Sequence, residues 1–294
     1  MGKNELTICG RPILEEDLDL IRSLIRQHWA KGRSFISQEL CRIWQWRQPN
    51  GYLKDALCRR LLLDLERDGL IELPPRICNN INNSKRSIRV NKYGISISTT
   101  PISAKLHELG PFQLKIVTRT PEEYLWNWLI HKYHYQGYRL HVGSKLKYLA
   151  YLDDRPIACL GWASAAWRVT CRDLFIGWSD AQRVNNLPHL VNNFRFLLLP
   201  WVSIKFLASH LLSLNIKRLP TDWQRVHGYP IYLLETFIET ARFSATCYRA
   251  SNWHLCGQSK GSAKSGTKYY FHGNIKDVYL YPLTPHFRER LKKQ

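Results

Sequence analysis

The stretch from Asn192 to Trp253 constrains this chain more than any other. Phe194-Arg195-Phe196-Leu197-Leu198-Leu199-Pro200-Trp201-Val202 has the apolar density of a buried strand and runs straight into a helical pattern that begins near Ser203. A second apolar strand, Ile231–Ile238, follows, and then a helix ending in Cys247-Tyr248-Arg249-Ala250-Ser251-Asn252-Trp253. A helix start that cradles a phosphate needs glycine, because only then can backbone N–H groups close on the anion. No glycine occurs between Gly177 and Gly228. An element order is therefore present without the loop that usually gives it a ligand, and function has to be argued from side chains.

Charge is the next constraint. The chain has 43 Lys and Arg against 23 Asp and Glu, net +20. Residues 1–75 hold 12 of the basic and 11 of the acidic residues, which leaves net +19 for the remainder. An excess of that size points to a polyanionic partner. The 11 Trp and 15 Tyr spread among the basic residues favour nucleic acid, since aromatic faces stack on bases. At 294 residues the chain suits two domains, and a hydrophobic fraction of 45% supports a sizeable core. No apolar stretch approaches the roughly 20 residues that span a bilayer. Met1-Gly2-Lys3-Asn4 leads into polar sequence rather than a signal-peptide core. A cytoplasmic protein with no membrane partner is expected. The eight cysteines include no Cys-x-x-Cys pair and are expected to be reduced and structural.

Along the chain, Leu18, Ile21, Leu24 and Ile25 give Glu15–His28 a helical period. Ser34 can cap a second helix that reaches Trp44. A third runs from about Leu53 to Asp68 and stops at Gly69. Leu70–Leu73 reads as a short strand before Pro74-Pro75. Three helices, a strand and a turn make the winged-helix pattern, with Lys54, Arg59 and Arg60 on the polar side of the reading helix. Use of this unit for protein contact is the alternative.

Asn79–Arg86 reads as a polar break. Pro121-Glu122-Glu123 opens a helix through Trp126 and Ile130. Lys147–Leu152 and Pro156–Trp162 form a hairpin around Asp153-Asp154. Gly257–Thr267 reads as a loop, and strands near Lys268–His272 and Asp277–Tyr281 are expected to close the sheet.

Several motifs carry a resemblance. The order of elements from Asn192 to Trp253 is similar to that on which the coenzyme A site of the GNAT fold is built. Arg172-Asp173-Leu174-Phe175-Ile176-Gly177-Trp178, Asn192-Asn193-Phe194-Arg195-Phe196, Leu207-Ala208-Ser209, Leu234-Glu235-Thr236-Phe237 and Cys247–Trp253 follow one another in order. With Tyr133-His134-Tyr135 and Trp46–Gly51, they resemble the DruA family over nearly the whole chain. That resemblance implies a part in Druantia anti-phage defence or in a related mobile-element setting, since relatives also lie near transposon genes. The expected fold class is α+β. It comprises an N-terminal winged helix-turn-helix over residues 1–77, a basic polar linker or wing extension over 78–113, a GNAT-like core with a mixed sheet and flanking helices over 114–284, and a basic tail over 285–294.

Three activities compete for the core. Acyl transfer would need a pyrophosphate site where Ile204 and Phe206 crowd the helix start and Lys205 is a lone cation, so no acetyl-CoA is expected. DNA strand cleavage or transfer would need metal-bound carboxylates or a nucleophile. Asp173 and Glu235 are the candidate ligands, for Mg²⁺ or Mn²⁺. Glu235 lies in an apolar strand, where a carboxylate must be paired, protonated or ligated. The alternative pairs it with Arg195 or Arg172, and Asp173 with Arg172. Tyr248 is the candidate nucleophile, because a Tyr at this place in GNAT-like folds faces the reaction centre, and packing of helix on sheet is its alternative role. His134 is a candidate general base, or a structural histidine. Arg172, Asn192, Asn193, Arg195 and Asn252 are candidate contacts to phosphates or base edges, or ties within the fold. Lys260, Lys264 and Lys268 sit on a loop suited to a DNA backbone. The third activity is non-catalytic: recruitment of other defence-system proteins to foreign DNA, with oligomerisation open.

Overall fold

The computed structural model describes residues 6–8, 11–76, 97–141, 143–265, 268–271 and 273–293. They belong to two compact units, Met1–Arg86 and Ser87–Gln294. The polar break at 79–86 lies outside the described residues.

In the first unit a short antiparallel ladder, β1 (Leu6–Ile8) and β2 (Arg11–Ile13), precedes three helices. The apolar period of α1 (Glu15–Gln27) buries Leu18, Ile21, Leu24 and Ile25, and Glu15, Glu16 and Asp17 occupy its positively polarised first turn. The second helix, α2 (Gly32–Ile43), starts ahead of Ser34, and α3 (Asp55–Arg67) is followed by a left-handed Gly69, φ +73°. Ile21, Ile36, Leu40, Leu61 and Leu65 close one core among them. The strand expected at Leu70–Leu73 does not form. The Leu73 amide donates to Glu66 Oε1 at 3.2 Å instead of to a neighbouring strand, and Ile71 and Leu73 are buried against the helices. Arg33 holds the same carboxylate with two bonds, of 3.0 and 3.1 Å.

The second unit is a mixed α+β body. Its chain order begins with β3 (Ile102–Ser103), β4 (Gln113–Ile116), α4 (Glu123–Tyr133), β5 (Lys145–Leu152), β6 (Arg155–Ser164), α5 (Thr170–Ile176) and α6 (Asp180–Asn186). Next come β7 (Leu190–Leu198), β8 (Val202–Ser203), α7 (Leu207–His227), β9 (Leu233–Ile238) and α8 (Thr246–Ala250). The chain ends with β10 (His254–Gln258), β11 (Ser262–Ser265), β12 (Lys268–Phe271), β13 (Asp277–Pro282) and α9 (Phe287–Leu291). Seven strands form one sheet in the order β10-β13-β9-β7-β6-β5-β4. Neighbours are antiparallel except β7 and β9, whose parallel pairing requires the crossover that α7 supplies. The β5–β6 turn places Asp153 and Asp154 at φ +46° and +61°, the two left-handed residues of a type I′ hairpin.

Period-two alternation sends Leu146, Tyr148 and Ala150 of β5 into the core with Leu211, Ile216 and Trp223 of α7. It sends Leu149 to the opposite cluster, with Trp126, Leu129 and Ile130 of α4. The two helices thus cover opposite faces of the sheet. The structure corrects two expectations. Lys268–Phe271 does not join the main sheet; it pairs locally with Ser262–Ser265, inside the stretch expected as a loop, and β10 takes the sheet edge. The crossover helix starts at Leu207 rather than near Ser203, because Val202–Ser203 is tied in parallel to Ile102–Ser103.

The ladder between β6 and β7 is irregular. Against β6, Arg195 pairs with Gly161 and Asn193 with Trp162, so Phe194 is an extra residue in β7. Such a bulge bends its strand. Gly161 makes room for it: a Cβ there would come within 2.8 Å of the Phe194 ring and 2.9 Å of Trp126. Among the described residues, no helix is long and apolar enough to cross a membrane.

Candidate functional site

The backbone ladder between β7 and β9 has three residue pairs: Leu190 with Leu233, Val191 with Leu234, and Asn192 with Glu235. At the bulge the strands part, and a cleft of about 1510 Å³ opens between Asn193–Leu198 and Thr236–Ile238. Asn193 sits at its apex. Its backbone carbonyl accepts from Thr236 Oγ1 at 3.1 Å, its Oδ1 from the Tyr248 hydroxyl at 2.6 Å, and its Nδ2 donates to the Gly161 carbonyl at 3.1 Å. Asn192 also lines the cleft, and its buried Oδ1 has no hydrogen-bond partner among the described residues.

The wall beside β7 is the turn after α4. Arg195 holds it through the Gly137 carbonyl, at 3.2 and 3.1 Å, and through Gln136 Oε1 at 2.8 Å. His134 and His141 line this side. Burial first, and then the Arg195 charge, pushes both imidazoles down to about 4, so both are neutral at pH 7. The Tyr248 phenol lies deeper, and burial raises it well above the usual tyrosine range.

Asp173 lines the opposite wall, whereas Glu235 is fully buried behind it. Arg172 joins the two. Its Nε and Nη2 donate to Asp173 Oδ1 at 3.0 and 2.8 Å, and its Nη1 to Glu235 Oε2 at 2.8 Å and to the Ala166 carbonyl at 2.7 Å. The other Glu235 oxygen accepts from the Ala166 amide at 2.8 Å. Asp173 also accepts from Trp178 Nε1 at 3.2 Å and from the Val169 amide at 3.3 Å. Burial works against the Arg172 charge, and the two carboxylates outweigh it, so its pKa is raised. A divalent ion bridging Asp173 and Glu235 would have to take the place this guanidinium fills. The described residues contain no cluster of three or more His, Cys, Asp or Glu suited to a metal.

The structure thus brings Asp173, Tyr248, His134, Asn192, Asn193, Arg195 and Lys260 to one cleft and leaves Glu235 and Arg172 behind its wall. Asn252, exposed at φ +62°, is not part of the lining. Lys264 and Lys268 lie on β11 and β12, whose hairpin begins just past Lys260. In the first unit Lys54 stands at the start of α3 with its pKa lowered by burial, Arg59 pairs with Asp55 at 3.2 Å, and Arg60 lies 3.9 Å from Asp64. Sequence reasoning missed His141, Arg168, Thr236, Phe243 and Lys276, which also line the cleft. All but Thr236, which is interior to β9, lie between regular elements, where periodicity gives no signal. At the start of α7, Ile204 is buried and Phe206 is exposed at φ +66°, so side chains stand where a glycine turn would bare its N–H groups.

The family model described as Druantia protein DruA matches residues 64–267. No curated protein matches the chain. Among solved structures, the chain is similar to an aminoglycoside acetyltransferase, AAC(6′)-Ib, determined with coenzyme A and kanamycin. The identity is 14% over 61% of this chain and 98% of that one, at a TM-score of 0.38. An N-acetyltransferase from Staphylococcus aureus is 12% identical over 59% of this chain and 99% of that one, TM-score 0.34. The ribosomal-protein-S18-alanine N-acetyltransferase from Escherichia coli is 6% identical over 59% and 95%, TM-score 0.37.

Proposed function

The chain belongs to the DruA family, and from that footing we propose that it is a DNA-binding component of an anti-phage defence system of the Druantia kind. The observation that carries the DNA reading is the cleft. It exceeds the roughly 300–1,000 Å³ usual for small-molecule sites, and Arg168, Lys260 and Lys276 stand along it in a chain of net charge +20. In this reading the first unit is a winged helix that offers α3 to a groove, with Lys54, Arg59 and Arg60 exchanging their present surroundings for phosphates. Other proteins of the system would be recruited to the bound DNA. The start of α7 lacks a phosphate cradle, so acetyl-CoA titrated into the protein in a calorimeter is expected to give no saturable heat. Stoichiometric binding would restore the acyltransferase reading.

A second reading, cleavage or transfer of a DNA strand, is favoured by the convergence of Tyr248, His134 and Asp173 on the same cleft. Tyr248 is the nucleophile of this reading. Its hydroxyl, whose pKa burial raises, needs a base; His134, neutral and with Nδ1 accepting the Gln136 amide at 3.2 Å, is the base of this reading and would have to release that amide. Mg²⁺ or Mn²⁺ held by Asp173 is the metal-dependent version. Labelled single-stranded and duplex DNA, incubated with either ion or with EDTA, tests both. Tyr248→Phe is expected to abolish product while the fold persists, and Asp173→Ala to remove any EDTA-sensitive part. Absence of product from every substrate, hairpins and forks included, leaves the binding subunit.

A further inference from the structure

The mouth of the cleft carries partly exposed aromatic surface, with the His134 ring stacked on one side of Tyr135 at 4.8 Å between centroids. Tyr135 and Phe243 are 41% and 48% exposed, line the cleft, and lie 5.2 Å apart between ring centroids. They come from opposite sides of the opening. Tyr135 stands on the turn that Arg195 of β7 holds, and Phe243 on the segment after β9. The Arg242 guanidinium sits 5.2 Å from the Tyr135 ring centre and pairs with Glu239 at 3.2 Å. The cations Lys260 and Lys276 also line the cleft. Their segments are laced together, with the Ser259 amide donating to the Lys276 carbonyl at 2.8 Å and the Lys276 amide to Ser259 Oγ at 3.0 Å. Neither lysine has an ion-pair partner among the described residues.

We propose that this cleft binds an unpaired segment of DNA, with bases stacked on Tyr135 and Phe243 and the backbone along Lys260 and Lys276. The proposal rests on the DNA reading above and narrows it to single strands. Three features select that occupant. The cleft opens between two strands of one sheet, which start about 4.8 Å apart, and a single chain of nucleotides is the narrower occupant. Paired bases hide their faces in the stack, whereas unpaired ones offer them to aromatic rings. Aromatic rings and ammonium groups along one cleft suit the bases and phosphates of a strand. The apex adds a polar atom, the unpartnered Asn192 Oδ1, able to accept an N–H from an unpaired base.

The test is fluorescence anisotropy with the full chain and three labelled probes of equal length: oligo-dT, oligo-U and a mixed-sequence DNA duplex. Oligo-dT is expected to bind at least about tenfold tighter than the duplex and no more weakly than oligo-U. Tyr135→Ala and Phe243→Ala are each expected to weaken oligo-dT binding by roughly 5- to 100-fold and to leave duplex binding unchanged. Tyr135→Phe, which keeps the ring, should bind as the unaltered protein does. Both residues are exposed, so the alanine variants fold, and their circular dichroism checks this. Equal affinity for duplex and single strand, tighter binding of oligo-U than of oligo-dT, or insensitivity to both alanine changes overturns the proposal while leaving the DNA reading intact. Failure to bind any probe overturns the DNA reading itself.

Discussion

Arg172→Ala is expected to destabilise the second unit by about 3–5 kcal/mol, the largest single-residue effect anticipated. Arg172 and Glu235 are both fully buried, and removal of the guanidinium strands Glu235 without a counter-charge and takes two bonds from Asp173. Arg172→Lys should recover little, because one ammonium group cannot reach Asp173, Glu235 and the Ala166 carbonyl together. Lys115→Ala is the contrast. Its pair with Glu122, at 2.6 Å, leaves the two side chains 51% and 35% exposed, and its loss should cost under about 1 kcal/mol. Urea unfolding followed by tryptophan fluorescence measures all three. An Arg172→Ala loss no larger than that of Lys115→Ala would show that the guanidinium does not hold the two carboxylates in the folded state.

The second large effect concerns salt. DNA affinity is expected to fall by about 10³–10⁵ between 50 and 200 mM salt if roughly 6–10 phosphates are neutralised, because each contact releases condensed counterions. Lys260→Ala combined with Lys276→Ala should weaken binding across DNA sequences and reduce the slope of log affinity against log salt by about 2. A flat salt dependence in the unaltered protein would remove the electrostatic basis of the DNA reading.

How much of the molecule was legible in its sequence depends on how far each signal reaches. The periodic helices α1, α3 and α4 and the β5–β6 turn at Asp153-Asp154 were readable because their determinants lie within a few residues. Partners were harder. Lys268–Phe271 has strand character, but nothing local says whether it pairs with β11 or joins the main sheet. Leu70–Leu73 has the apolar residues of a strand, and its outcome depends on Glu66 capturing the Leu73 amide. Glu235 shows the same limit at the site. Its need for a partner was evident from the apolar strand around it. The choice between Arg172 and Arg195 was not, because Arg195 turned out to be spent on the Gly137 carbonyl and Gln136. The convergence of Tyr248, His134 and Asp173 depends on β7 and β9 separating, and the sequence around Asn193 carries no period that announces a separation.

The inserted Phe194 also bears on how the cleft can change over time. The cleft exists because one strand carries a residue that its neighbour does not match, so it depends on a count of residues more than on their identity. Substitutions within β7 can retune the lining while the opening persists. Loss of a single residue between Asn193 and Arg195 would instead let the ladder with β6 run on unbroken, with the residues beyond it keeping their β6 partners and faces, and the bend of the strand would go. In a lineage that evolves by point substitution the opening is therefore protected, and relatives that have lost it should differ by a deletion in this strand.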